Sequence, residues 1–127
     1  MLVVLAPGWK TELDRGPGWL FVKLYGPDGD EADAKGLAES LCSMLRQELK
    51  GRLLLELEHL QEMPPDLVEE LHLLRDEMER QGGILRLCGL AAEHESRLCE
   101  SDFSQRFTHY RDREEAIAGF YRPGKPR

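Results

Sequence analysis

Residues 51–88 read GRLLLELEHLQEMPPDLVEELHLLRDEMERQGGILRLC, and this stretch decides the fold class. Leu53-Leu54-Leu55-Glu56-Leu57-Glu58 begins as a nearly continuous apolar run, the pattern of a central strand covered by protein on at least one face. Pro64-Pro65-Asp66 then opens a helix, because proline is tolerated in a first turn where its missing N–H has no intrahelical partner. Leu67, Leu71, Leu74 and Met78 recur at three- and four-residue spacing and form one apolar stripe. Gly82-Gly83 ends the helix, and Ile84-Leu85-Arg86-Leu87-Cys88 is a second strand. Strand, helix and strand in succession make a crossover unit with its two strands parallel.

The same alternation continues outward. Upstream, Leu37, Leu41, Met44, Leu45 and Glu48/Leu49 carry the buried stripe of a helix over about 33–50, stopped by Gly51. Before it, 9–25 reads as a β-hairpin. Trp9 to Leu13 is a short strand, Asp14-Arg15-Gly16-Pro17-Gly18 a dense turn signal, and Trp19-Leu20-Phe21-Val22-Lys23-Leu24-Tyr25 an aromatic and aliphatic strand. Gly26-Pro27-Asp28-Gly29-Asp30 follows as a polar loop. Downstream, 91–99 reads as a weaker helix and 107–110 as a short edge-like strand. A last helix over 113–121 would turn Ala116, Ile117 and Phe120 inward. The class is therefore α/β, a mixed four- to five-stranded sheet with about four helices and an N-terminal β-hairpin. Residues 1–121 read as a single domain, and 122–127 as a basic, breaker-rich tail expected to be disordered.

Composition bounds the function. The chain has 127 residues, 41% of them hydrophobic and 32% charged, enough apolar material for one core without disulfides. Seventeen basic residues against 24 acidic ones leave a net charge of −7. That balance argues against nucleic acid and against an anionic membrane surface, both of which need a basic face. The apolar start at Met1 to Ala6 is too short for a membrane span and lacks the basic flank of a signal peptide. Three widely spaced cysteines without an export signal point to a reducing cytoplasm.

Several local patterns, in this order and spacing, resemble the STAS domain of anti-sigma factor antagonists. Phe21-Val22-Lys23-Leu24-Tyr25-Gly26 is similar to the family's second strand, and Leu53-Leu54-Leu55-Glu56-Leu57 to the strand leading into its regulatory loop. Glu79 to Leu87 resembles the helix end, glycine pair and fourth strand. Leu98, then Phe103-Ser104-Gln105-Arg106-Phe107, resembles the family's Leu, Thr-Gly-Leu and Asp-x-x-Phe positions. Asp112-Arg113-Glu114-Glu115-Ala116 resembles its last helix. The resemblance spans about 19–120. It implies a non-enzymatic, cytoplasmic interaction domain whose protein partner is an anti-sigma factor or related kinase-type regulator. In the family, phosphorylation of a Ser or Thr in an Asp-Ser-Ser/Thr-Gly motif breaks the complex, since a phosphate adds about −1.5 to −2 charges at the interface.

This chain departs from the family at that motif. Counting back from Gly82, it falls on Pro64-Pro65-Asp66-Leu67, with Asp66 at the hydroxyl position. No Ser or Thr occurs anywhere in 50–89, so the phospho-switch does not carry over. Asp66 either presents a fixed negative charge to the partner or supports the helix N-terminus. The residues expected to touch a partner are Asp28, Asp30, Asp66, Glu69 and Glu70, on the strand-to-helix loops and the acidic second helix. An alternative reading is a diverged domain that binds a small ligand or scaffolds an assembly unrelated to sigma factors.

Other chemistry is weakly supported. Cys88, His94 and Cys99 lie close in sequence, but without a C-x-x-C knuckle. Cys88 and Cys99 are expected to pack as small apolar residues, with no metal bound. His59, His72, His94 and His109 are scattered, and no nucleophile–base pair accompanies the cysteines. The 26–30 loop lacks the ligands of an EF-hand and the Lys-Ser/Thr of a P-loop. No catalytic residue and no cofactor is expected.

Overall fold

The computed structural model describes residues 2–94 and 108–118. Six strands form one sheet in sequence order: β1 (Leu2–Ala6), β2 (Trp9–Gly16), β3 (Trp19–Tyr25), β4 (Arg52–Glu56), β5 (Ile84–Cys88) and β6 (Thr108–Tyr110). β1, β2 and β3 pair antiparallel; β3 through β6 pair parallel. The helices are α1 (Leu37–Glu48), α2 (Pro65–Arg80) and α3 (Arg113–Ala118), and residues 92–94 are helical as well. The mixed α/β sheet and the hairpin of β2 and β3 are those expected from the sequence. Leu2–Ala6 widens the sheet by one strand. Its Leu-Val-Val-Leu run, closed by Pro7-Gly8, suits a strand, and pairing with β2 fixes its place.

β4 lies centrally. Leu53, Leu54 and Leu55 are all fully buried because both faces of the strand are covered. On one face Leu53, Leu55 and Leu57 meet the α1 stripe of Leu37, Leu41 and Leu45 and the α2 stripe of Leu67, Leu71, Leu74 and Met78. On the other face Leu54 joins Trp19, Phe21, Cys88, Tyr110 and Ala116 of α3. Guanidinium groups close this second layer. Arg52 and Arg86 lie 5.8 and 5.4 Å from the Trp19 ring, and Arg113 lies 4.2 Å from Phe21.

Several boundaries differ from the sequence reading, among them that of β4, which ends at Glu56 and not at Glu58. α1 starts at Leu37 because Gly36 takes a left-handed conformation at its N-cap. It stops at Glu48 because Leu49 itself turns left-handed (φ 56°), so Leu49 is 90% exposed instead of extending the stripe. β2 runs through Asp14 and Arg15 to Gly16, which narrows the hairpin turn to Pro17-Gly18. In α3, Ala116 is buried but Ile117 is exposed, since successive residues of a helix point about 100° apart. Phe120, Cys99 and the 122–127 tail lie outside the described residues.

Candidate partner-binding surface

Parallel strands deliver their connections to one end of the sheet. Here that end carries the 26–36 loop after β3, the 57–64 loop after β4, and the N-termini of α1 and α2. The two loops are joined to each other. Gly26 forms a parallel bridge with Leu60, and Gln61 N–H donates to the Gly26 carbonyl at 2.8 Å. The turn between β1 and β2 anchors the first loop: Asp28 N–H donates to Gly8 O at 2.9 Å and Asp33 N–H to Pro7 O at 2.8 Å. Two glycines permit this crowding. A Cβ on Gly8 (φ +79°) would sit 2.4 Å from the Ala32 Cβ, and one on Gly26 (φ +138°) would sit 2.6 Å from the Gly8 carbonyl. Both positions combine left-handed backbone with a contact that leaves no room for a side chain.

The acidic run of α2 divides into three groups by what each carboxylate touches. Asp66 and Glu70 turn toward α1. Asp66 Oδ2 accepts from the Ala34 N–H at 3.0 Å, and its Oδ1 accepts from the Leu67 N–H at 2.9 Å. Glu70 Oε1 accepts from the Ala38 N–H at 2.9 Å, and the residue is only 8% exposed. Ala38 is in the first turn of α1, where backbone N–H groups have no intrahelical acceptor. Glu70 of α2 therefore satisfies the positive end of α1 from a neighbouring element, while Asp66 holds the loop that leads into it. The second group is paired within the helix: Arg75 binds Asp76 and Glu79, and Arg80 binds Glu77. The third group is Glu69, which is exposed and has no ion pair among the described residues.

The structure thus separates the five expected contact residues. Asp28, Asp30 and Glu69 are exposed at the loop end of the sheet, Asp66 is half-buried, and Glu70 is buried. Glu31, Glu58 and Glu62 are also exposed acids on these loops, and sequence reasoning did not single them out. Their signal was available: each lies on a strand-to-helix loop, where exposed charge gathers. His59 is exposed nearby, stacked on Tyr25 with ring centroids 4.6 Å apart. Between α1 and α2 runs an open groove of about 530 Å³, lined in part by Lys35, Cys42, Arg46 and Leu73.

The thiols are shielded. Burial raises the Cys42 pKa. Burial, with Glu56 and Glu58 nearby, pushes that of Cys88 up to about 12. Cys88 and His94 are both buried, Cys99 lies outside the described residues, and among those residues no three His, Cys, Asp or Glu side chains converge. On the other face of the sheet, Arg113 holds the buried Glu56 through two bonds of 3.2 and 2.8 Å and Asp14 through one of 2.7 Å. The Arg113 guanidinium holds the Asp14 carboxyl below its usual range.

Comparison with solved structures decides the fold. An anti-sigma factor antagonist from Mycobacterium paratuberculosis superposes with a TM-score of 0.72 at 14% identity, over 91% of this chain and 97% of that one. The fold is STAS-like. The RsbS protein of Moorella thermoacetica, in a serine-to-glutamate form, matches this STAS-like domain with a TM-score of 0.72 at 12% identity, covering 87% of this chain and 94% of that one. The Bacillus cell fate determinant SpoIIAA in its phosphorylated form matches at 0.62 and 15% identity, covering 87% and 98%. No family model and no curated protein matches the sequence. No helix among the described residues is long and apolar enough to cross a membrane.

Proposed function

We propose that this STAS-like domain acts in the cytoplasm by binding a regulatory protein, an anti-sigma factor or related kinase-type regulator, without catalysis and without a Ser/Thr phospho-switch. Residues 1–121 act as one domain and 122–127 as a tail. The contact surface is the loop end of the sheet, with Asp28, Asp30 and Glu69 facing the partner. Asp66 and Glu70 belong to the same surface but contribute by holding α1 and α2 together beneath it.

The observation that carries the reading is the state of Asp66. By the count back from Gly82 it falls at the position of the hydroxyl that anti-sigma factor antagonists phosphorylate, and both its carboxylate oxygens already accept backbone N–H groups at 3.0 and 2.9 Å. A carboxylate engaged with two backbone N–H groups offers no hydroxyl for a Ser/Thr kinase to phosphorylate. The fold shared with anti-sigma factor antagonists supports a protein partner over a small substrate.

The test is a binding titration against the anti-sigma-type kinase encoded nearest to this gene, with wild type and with the triple variant Asp28→Lys, Asp30→Lys, Glu69→Lys. All three positions are exposed, so the variant should melt like wild type. Loss of binding by about tenfold or more is expected. Unchanged binding by a folded triple variant rules out this surface. Incubation with the same kinase and ATP should leave 50–89 unmodified, and label at Ser96, Ser101, Ser104 or Thr108 would show that the switch has moved rather than disappeared.

A further inference from the structure

We infer that the two ends of the sheet are complementary and that copies of the chain stack head to tail, the acidic loop end of one on the basic end of the next. The basic end lies where β3, β4 and β5 begin and α1 stops. Arg46, Lys50 and Arg52 gather there, and none of them has an ion pair among the described residues. The other cations of that end are neutralised within the chain, Arg15 by Glu48 and Arg80 by Glu77. Leu49 stands among the unpaired ones. It takes a left-handed backbone (φ 56°) at the C-cap of α1, where glycine or asparagine is the usual residue, and it is 90% exposed. For that strain the side chain gains no burial inside the domain; it is an apolar knob presented outward with a cation on either side.

The loop end carries the counterpart. Tyr25 and His59 stack there with their rings 15° apart, and His59 is exposed. Glu58 and Glu62 are exposed before and after His59 in the chain, and the bridge between Gly26 and Leu60 sets Asp28 and Asp30 of the first loop beside them. None of these acids has an ion pair among the described residues. An aromatic plate edged with unpaired carboxylates faces one way along the strands, and a leucine edged with unpaired cations faces the other.

A second copy is the occupant because both halves of the contact are built on this one chain. Leu49 against the Tyr25–His59 stack supplies an apolar centre, and Arg46, Lys50 and Arg52 against Glu58, Glu62 and Asp28 supply a rim of opposite charges, the usual anatomy of a protein–protein contact. The two surfaces differ, so the contact is heterologous. Each stack keeps one free end of each kind and goes on growing instead of closing as a two-fold dimer. Stacking also covers the loop end, and it therefore competes with the regulatory protein proposed above; this competition rests on that reading, whereas the stacking does not.

Sedimentation equilibrium of the full chain alone, from micromolar to millimolar concentration, tests this. The average mass of wild type should rise past twice the monomer mass of 14.5 kDa. Salt screens both the attraction between the ends and the repulsion from the net charge of −7, so altered ends are the sharper probe. A basic-end variant, Arg46→Gln with Leu49→Asn and Arg52→Gln, should weaken self-association by about tenfold or more, and so should a loop-end variant, Glu58→Lys with Glu62→Lys. An equimolar mixture of the two variants retains one native contact per pair, so it should form a one-to-one dimer and stop there. Leu49→Asn alone suits the left-handed turn and should melt no lower than wild type while still weakening the stack, which separates the contact from a failure to fold. A wild type that stays monomeric, a plateau at the dimer mass, variants that associate like wild type, or a mixture that stays monomeric or grows past the dimer overturns the inference.

Discussion

The carboxylate of Glu70, on α2, accepts the backbone N–H of Ala38, on α1, at 2.9 Å inside the protein. One helix thereby caps another across 32 residues of sequence. The bond is charge-assisted and removed from water, which makes it one of the stronger single contacts in the domain. With Asp66 holding Ala34 in the loop just before α1, the start of α1 and the first turns of α2 form one unit beneath the candidate contact surface.

Glu70→Ala should lower stability by about 1.5–3 kcal/mol, since it strands a buried N–H and removes a charged acceptor. Glu70→Gln keeps an acceptor of the same length and should cost clearly less. Urea unfolding of the two variants gives the comparison. Equal losses would mean that packing, and not the bond to Ala38, is what Glu70 provides.

Asp66→Ser should cost about 0.5–2 kcal/mol, the range for a lost capping contact. A serine hydroxyl can reach one of the two N–H groups but not both. If the same change instead leaves the melting temperature alone and tightens partner binding about tenfold, a gain of about 1.4 kcal/mol, Asp66 works as a phosphate mimic and not as a clamp.

Leu71 and Leu73 are two positions apart on α2 with opposite environments: Leu71 is buried and Leu73 is 52% exposed. Leu71→Ala should cost about 2–5 kcal/mol through the cavity it leaves. Leu73→Ala should stay within about 0.5 kcal/mol of wild type. Chemical denaturation separates them, and a large loss at Leu73 would show that its exposed side chain packs more than its accessibility implies.

Arg113→Ala should cost about 3–5 kcal/mol, because it leaves the Glu56 carboxylate buried and without its bidentate partner. Arg113→Lys should recover little, since an ammonium cannot make both bonds to Glu56, reach Asp14 and lie flat on Phe21. Adding Glu56→Gln to Arg113→Ala should restore part of the loss. Thermal melts of the two single variants and the double variant test this, and full additivity would refute the coupling.

Cys42 and Cys88 should resist a thiol reagent at pH 8 until the protein is unfolded, as read by mass spectrometry of the labelled peptides. The alkaline limb follows from the same burial. The unfolded chain releases the Cys88 proton near 9.0, whereas the fold holds it to about 12. Between those values the unfolded state binds fewer protons, so stability falls as pH rises. Cys88→Ala should reduce that slope. Ready labelling of folded Cys88 would contradict its burial.

The strand–helix–strand alternation, the leucine stripes of α1 and α2, and the central place of Leu53-Leu54-Leu55 are legible from residue order alone. These are periodic, local signals, written within a few turns or a few strand residues. The missing hydroxyl around Asp66 is legible in the same way, because residue identity needs no coordinates. Which acids face inward emerged only when the elements packed together. Asp66, Glu69 and Glu70 are near neighbours in the chain, yet Glu70 caps α1, Asp66 holds the Ala34 N–H in the loop before α1, and Glu69 faces solvent, because the partners of the first two lie 32 residues away. The same holds for Arg113 with Glu56, 57 residues apart, and for β1, whose place in the sheet is fixed by its pairing with β2. Hydrogen bonds and ion pairs between distant elements leave no period in the sequence, so their geometry enters only when the chain closes on itself.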